Sequence, residues 1–149
     1  MKLQTADLRS RSRAELDEIF RRAEPGPIPA GPARGTALIV PGTALDRFLA
    51  AIVRLFWWKG KIFRPESRDL KNRITPFGIP AIRAEVYVDD SWFADGQAII
   101  LDYSKSSFVA RKIRDEIREV GPGVYLGQVF WGRKRLILFS LEFPRGAAA

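Results

Sequence analysis

The residue types that could carry chemistry lie together at one point of the chain, in Asp102-Tyr103-Ser104-Lys105 at the end of a predicted strand. A cation close to a tyrosine lowers the pKa of its hydroxyl, and such a tyrosine can act as an acid or a base. The catalytic candidates are Asp102 and Tyr103 from this cluster and Glu142 from the last predicted strand. The competing interpretation is structural, because polar residues at a strand end commonly cap the strand and begin a turn.

Cysteine and histidine are both absent from the 149 residues. Without a thiol or an imidazole, the chain cannot perform Ser-His-Asp or Cys-His catalysis, and it cannot build the usual zinc sites. Any acid–base chemistry has to come from Asp, Glu, Lys or Tyr side chains or from a bound cofactor. No metal-binding motif, P-loop or dinucleotide fingerprint is present, so neither a metal nor a cofactor is predicted.

The alternation of polar and apolar residues along the predicted strands indicates a surface that could bind a small molecule. One face of the last strand is apolar, whereas one face of each other strand mixes polar, aromatic and apolar side chains. If these half-polar faces converge, they line a partly apolar pocket; the alternative is a sheet with that face in water. The residues predicted to bind a ligand are Arg83, Tyr87, Tyr103, Arg114, Tyr125, Phe130 and Trp131.

Arginines in the segment 113–120 offer a second way to bind an acidic ligand. Arg114 and Arg118 share one face if the segment is helical, and their guanidinium groups suit a carboxylate. Charged helix faces are, however, more often solvated and paired locally.

The net charge of +8 is concentrated in the first half, where residues 1–75 contain 15 Lys and Arg against 8 Asp and Glu. The densest part is a predicted loop, 59–73. Such a segment favours nucleic acid or another anionic partner, and a solvated loop that keeps the protein in solution is the alternative. Its cations are Lys59, Lys61, Arg64, Arg68, Lys71 and Arg73.

Two helices are predicted in the N-terminal half. The first covers 13–23, because Ser12 and Glu15 have the spacing of a capping box and apolar residues recur at helical spacing. The second covers 45–58, where the same spacing recurs. Between them, 25–35 is rich in proline and glycine, which predicts an extended connector. The first seven residues lack the apolar stretch of a secretory signal, and 45–58 is too short to span a bilayer, so we expect a soluble, cytoplasmic protein.

Strands are predicted at 36–40, 82–89, 97–103, Val124–Trp131 and 136–143. The second and third should pair antiparallel, and a hairpin loop at 132–135 should join the last two. The segment 106–120 is interpreted as a helix, with a strand as the alternative. The predicted fold class is thus α+β: an antiparallel β-sheet curled into a small barrel, with two N-terminal helices and one helix inserted between strands. Residues 36–149 form its single domain, after an N-terminal helix and connector in 1–35.

Three segments also carry a family resemblance: Trp58-Lys59-Gly60-Lys61-Ile62-Phe63, Leu101-Asp102-Tyr103-Ser104 and Val124-Tyr125-Leu126-Gly127. Together with the closing strand 136–143, they resemble small bacterial barrel proteins of calycin (lipocalin-like) type. The likeness covers 58–143. It implies an antiparallel barrel with a central cavity for a hydrophobic or amphipathic molecule, and it implies no catalytic residues.

Three functional hypotheses follow. The first is a binding protein for a small hydrophobic or amphipathic ligand, whose acidic group would meet Arg83 or Arg114. The second is a metal-free lyase or isomerase that uses Asp102, Tyr103 or Glu142 as proton donor or acceptor. The third is a binder of nucleic acid or another anionic surface through the basic loop 59–73.

Overall fold

The structure, a computed structural model, describes residues 2–39, 61–64, 69–73, 80–104 and 112–143. Two helices lie in these ranges, α1 (Thr5–Arg9) and α2 (Arg13–Arg22). The strands in them are β1 (Gly31–Ile39), β2 (Lys61–Arg64), β3 (Asp69–Arg73), β4 (Pro80–Asp90), β5 (Gln97–Asp102), β6 (Ile113–Gly121), β7 (Val124–Trp131) and β8 (Lys134–Glu142).

Helix α2 forms where the sequence predicts it. The Ser12 hydroxyl accepts a hydrogen bond from the backbone N–H of Glu15 at 3.2 Å, and the Glu15 carboxylate accepts one from the Ser12 N–H at 3.1 Å. This capping box satisfies donors that the first helical turn leaves open. The short helix α1 was not predicted, and the predicted helix at 45–58 lies outside the described residues. In the part of the chain that the structure describes, no helix has the length and apolarity needed to cross a bilayer.

The strands pair antiparallel in chain order, and β8 pairs in turn with β1, so the order of pairing is closed. We call this arrangement the ring. Two local predictions are confirmed: β4 pairs antiparallel with β5, and β7 forms a hairpin with β8. The protein is therefore mostly antiparallel β-sheet with two short helices, and the antiparallel sheet of the predicted fold class is confirmed.

The helix predicted at 106–120 is wrong for its described part, because Ile113–Gly121 is strand β6. This strand lies between β5 and β7 and pairs with both. Three of its charged residues, Arg114, Glu116 and Arg118, are buried beside partners from other segments, which a solvated helix face would not provide. Both faces of β6 are covered, and the alternation of exposed and buried residues that marks a half-buried strand is absent.

Two predicted irregular segments also contain strands. The connector predicted for 25–35 ends before Gly31, since residues from Gly31 onward pair with β2 and β8. The basic segment 59–73, predicted as a loop, contains β2 and β3, which pair with each other. Proline and glycine do not prevent β1 from forming, because proline is tolerated at the beginning of a strand.

The two faces of the ring differ in what covers them. A buried cluster without any helical residue joins Ala33 of β1, Val86 of β4 and Ile137 of β8, which are not all neighbours in the pairing order. This cluster lies on the inner face, because only the inside of a ring brings such strands together. The outer face is covered instead by α1 and α2, whose Leu8, Leu16 and Phe20 pack in a second cluster with Ala98, Ile100 and Leu126.

Candidate ligand-binding cleft

The residues predicted to bind a ligand are divided between the two faces of the ring. Tyr103, Tyr125 and Trp131 lie on the inner face, in or against its cluster. Tyr87, Arg114 and Phe130 have the opposite parity and lie on the outer face. The side chain of Arg83 lies outside the described part. The expectation that the half-polar faces look inward together is therefore wrong, since those faces point outward against the helices and the 91–96 turn.

Part of the outer set surrounds a cleft of about 390 Å³. Its lining residues come from β4, the end of β5, the turn 91–96, the beginning of β6 and the turn between β7 and β8. They are Tyr87, Trp92, Asp102, Ser104, Lys112, Ile113, Arg114, Gly132 and Arg133. We call this site the outer cleft. Within the described residues, no group of three or more carboxylates could hold a metal ion.

Strand register explains why Asp102 and Arg114 meet in this cleft. Asp102 of β5 lies directly opposite Arg114 of β6, and Tyr87 of β4 is diagonal to Asp102. The Tyr87 hydroxyl donates to Asp102 Oδ2 at 2.7 Å, and the backbone N–H of Ser104 donates to Asp102 Oδ1 at 2.8 Å. The carboxylate at this end of the cleft is thus fixed in orientation.

These contacts shift two pKa values in the cleft. Burial, followed by the hydrogen bond to Asp102 and the charge of that carboxylate, raises the pKa of Tyr87 to about 12. For Asp102, burial alone would raise the pKa, but hydrogen bonds from Ser104 and Tyr87 and the charge of Arg114 outweigh it and lower the pKa. At neutral pH the cleft therefore presents a charged carboxylate and a protonated phenol.

Trp92 forms the aromatic wall of the outer cleft. The guanidinium carbons of Arg114 and Arg133 each lie 4.0 Å from the centre of its ring, close enough for cation–π attraction. The indole also contacts Phe130 edge to face, at 5.4 Å between ring centres. Even so, 41% of Trp92 is exposed, so part of a large apolar side chain faces the solvent at the cleft.

The buried carboxylate of Glu116 holds this wall in place. It is 0% exposed and accepts four hydrogen bonds. The Ser91 hydroxyl and Gln128 Nε2 donate to Oε1, and the Trp92 backbone N–H and Arg114 Nη1 donate to Oε2. Because Gln128 lies opposite Glu116 across the β6–β7 ladder, the sheet itself sets part of this arrangement.

Buried Arg118 secures the other end of the same turn. Its guanidinium donates to the carbonyl oxygens of Asp95 at 2.7 Å, Phe20 at 2.8 Å and Gln97 at 2.9 Å. Arg118 is only 2% exposed, and burial lowers its pKa. The helical arrangement considered for Arg114 and Arg118, in which both would bind a carboxylate, is not found, because the Arg118 guanidinium donates to backbone carbonyl oxygens.

The structure separates the catalytic candidates. Asp102 faces the outer cleft, whereas Tyr103, the next residue, is fully buried in the inner cluster. Glu142 is partly buried on β8, opposite Arg34 and Val124, and does not line the cleft. Because consecutive residues of a strand point to opposite faces, Asp102 and Tyr103 cannot act on one ligand.

The inner-face tyrosine Tyr125 is also fixed by the fold. Its hydroxyl donates to the carbonyl oxygen of Pro27 at 2.6 Å, and burial, followed by the nearby charge of Glu119, raises its pKa. Tyr125 therefore ties the segment before β1 to β7.

Sequence reasoning missed Trp92, Lys112 and Arg133 as cleft residues. Trp92 lies in the short polar turn 91–96, and a large aromatic residue there could have indicated a surface role. Nothing in the spacing of Lys112 and Arg133 relates either of them to Trp92, since the three are separated by 20 positions or more.

Comparisons with known proteins bear on the fold. No protein-family model and no curated protein matches the chain. A crystal structure of a protein from Thermomonospora curvata is similar, with a TM-score of 0.64 and 22% sequence identity over 94% of this chain and 93% of that chain. At this identity the similarity shows a shared fold and carries no functional residue across.

Proposed function

We propose that this protein binds a small ligand that has an apolar part and an acidic group, and that it does so in the outer cleft. The observation that carries the proposal is the composition of the lining. Lys112, Arg114 and Arg133 face one carboxylate, Asp102, beside the indole of Trp92. A concave site that combines aromatic surface with a few fixed polar groups is typical of small-molecule binding.

Size and charge agree with such a ligand. A volume of about 390 Å³ falls at the lower end of the range for small-molecule sites. Lys112 and Arg133 are exposed, so both can turn towards an anion, while Arg114 is held by Glu116 and by the carbonyl oxygen of Asp90 at 3.0 Å. The apolar part of the ligand would lie against the indole of Trp92.

We also propose a type for the sheet: the ring is a closed barrel similar to that of calycins. It is supported by the chain-order pairing of the strands and the return from β8 to β1. The ligand site is nevertheless placed on the outer face. Inner side chains such as Tyr103 and Phe139 are buried in one cluster, whereas the outer cleft is open.

Acid–base catalysis is less well supported than binding. With a pKa of about 12, the hydroxyl of Tyr87 keeps its proton near neutral pH, and the lowered pKa of Asp102 keeps its carboxylate charged. Both groups are suited to hydrogen bonding rather than proton transfer. The side chains of 59–73, through which an anionic surface would be bound, lie outside the described residues.

The test is calorimetric titration with matched acids and amides. Indole-3-acetate and phenylacetate carry an apolar ring and a carboxylate, and indole-3-acetamide and phenylacetamide are neutral counterparts of the same shape. We expect measurable binding of at least one acid and at least tenfold weaker binding of its amide, because a charge-assisted hydrogen bond contributes roughly 1.5–3 kcal/mol.

Two variants test whether the acid binds in the outer cleft. Arg133→Gln should weaken binding of the acid by about tenfold. Lys134→Gln is the matched control, since Lys134 is exposed at the beginning of β8 next to Arg133, carries the same charge and does not line the cleft. Failure of both acids to bind, or an equal effect of the two variants, would refute the proposal.

A further inference from the structure

A continuous series of polar contacts connects helix α2 to the outer cleft. Asp17 of α2 accepts two hydrogen bonds from Arg135, at 2.7 and 3.1 Å. Arg135 Nη1 also donates to Gln128 Oε1 at 3.1 Å, and Gln128 Nε2 donates to Glu116 Oε1 at 3.0 Å. Glu116 then holds the backbone N–H of Trp92 at 2.9 Å. Each step is a direct hydrogen bond between groups that are buried or partly buried.

A second connection runs between the same two elements through aromatic contacts. Phe93, next to Trp92 in the turn, contacts Phe20 of α2 edge to face at 6.0 Å between ring centres. The guanidinium of Arg135 lies 4.1 Å from the centre of the Phe93 ring, and that of Arg21 lies 4.8 Å from it. The turn that supplies the cleft wall is therefore packed against α2 at Phe93.

We propose that Asp17 is a positioning residue for the outer cleft, although it does not line the cleft. This inference rests on the proposed function for its effect on ligand affinity, while the contacts themselves do not depend on it. Asp17 fixes Arg135, and Arg135 fixes the amide of Gln128 with its oxygen towards Arg135 and its nitrogen towards Glu116. The amide orientation is what allows Glu116 to accept from Gln128 while it holds Trp92.

Loss of the Asp17 charge should weaken the hydrogen bond between the Trp92 N–H and Glu116. In an Asp17→Asn variant, Arg135 loses its counter-charge and half of its bidentate contact, which frees its guanidinium to leave Gln128. The Gln128 amide is then fixed at its nitrogen alone, by Glu116, and its oxygen no longer has a donor. A less firmly held Gln128 lets the Glu116 carboxylate move, and the hydrogen bond to the Trp92 N–H weakens.

The experiment compares Asp17→Asn with Glu18→Gln. Glu18 lies next to Asp17 on α2, carries the same charge, and in the described structure is paired with Arg21 and Arg22 of the same helix. Two quantities are measured in both variants: the affinity for indole-3-acetate and the hydrogen-exchange rate of the Trp92 backbone amide, followed by NMR.

We expect Asp17→Asn to weaken binding by about threefold to tenfold, the size of effect known for residues that act on a site through others. The Trp92 amide should exchange faster by a similar factor, and Glu18→Gln should change neither quantity. Asp17→Glu, which restores the charge, should recover part of the effect. In an Arg135→Lys background, Asp17→Asn should have little further effect, because the series is already broken there.

The two proposals fail separately. If the wild-type protein does not bind the acids, the proposed function is refuted, and the Trp92 amide still tests the positioning role. If the wild-type protein binds and Asp17→Asn behaves like Glu18→Gln in both measurements, the positioning role is refuted and the binding function stands.

Discussion

Replacing Glu116 with glutamine should destabilise the protein although the two side chains have nearly the same shape. All four groups around the Glu116 carboxylate are donors: the Ser91 hydroxyl, the Trp92 N–H, Arg114 Nη1 and Gln128 Nε2. Each carboxylate oxygen accepts two of them. An amide has only one oxygen, so its NH₂ must face two donors in either orientation.

The neighbouring groups cannot repair this mismatch without loss. If the NH₂ takes the Oε1 position, the Ser91 hydroxyl cannot become an acceptor for it, because its oxygen already accepts from the backbone N–H groups of Phe93 and Ala94. Gln128 would have to flip its amide, and its NH₂ would then face Arg135 Nη1. If the NH₂ takes the Oε2 position, it faces a backbone N–H and a guanidinium, and neither can accept.

The magnitude follows from the number of donors left without an acceptor. One to two buried donors at roughly 1–3 kcal/mol each, together with the lost ion pair of Arg114, give a destabilisation of about 3–4 kcal/mol. That is a large part of the 5–15 kcal/mol that is typical of a domain, but the variant should still fold.

Urea unfolding followed by circular dichroism measures the effect. With a slope of about 2 kcal/mol per molar urea, the midpoint should fall by roughly 1.5–2 M while the slope stays the same. Glu18→Gln is the exposed control and should shift the free energy of unfolding by less than about 0.5 kcal/mol. A Glu116→Gln midpoint within 0.3 M of the wild-type value, on the order of 0.6 kcal/mol, would show that these four hydrogen bonds do not hold the turn as we infer.

Three further predictions concern the inner face and the pH dependence. Gly127→Ala should lower the melting temperature, because a Cβ there would meet the Phe139 ring and lie 2.7 Å from Ile117 Cγ2; overpacking of this kind costs roughly 1–3 kcal/mol, and Phe139→Leu should restore part of it. The lowered pKa of Asp102 stabilises the folded protein at pH values above its unfolded pKa of about 3.9, and this stabilisation is lost as the pH falls through the folded pKa. In Asp102→Asn, the free energy of unfolding measured at a series of pH values should therefore fall less steeply on the acid side. The pKa of Tyr87, raised to about 12, contributes stability that is lost between about pH 10 and pH 12. Tyr87→Phe should therefore remove one tyrosine that ionises at high pH from an ultraviolet titration, and it should reduce the loss of stability in alkali.

Elements that depend on neighbouring residues could be predicted from the sequence. The capping box at Ser12 and Glu15 and the apolar spacing after it locate α2, since every contact that begins the helix lies within one turn. The hairpin of β7 and β8 is equally local, because alternation and a short polar turn determine its pairing.

Strand β6 shows where local patterns fail. Its apolar residues also fit a helical stripe, and its charges resemble a solvated face. The partners that make it a strand are distant in the chain: Glu116 binds Ser91, 25 residues away, and Arg118 binds the carbonyl of Phe20, 98 residues away. A charged residue can be buried in a sheet only when such partners surround it, and no sequence pattern reveals them.

What the sequence determined by itself was the chemistry available: no thiol, no imidazole, an antiparallel sheet, and a set of aromatic and charged residues. Only the tertiary structure decided which of these residues meet. The register of β4, β5 and β6 places Asp102 beside Tyr87 and Arg114 on the outer face, while Tyr103 is buried in the inner cluster. The turn 91–96 then adds Trp92, whose backbone N–H donates to Glu116, while the neighbouring Phe93 packs against Phe20 of α2.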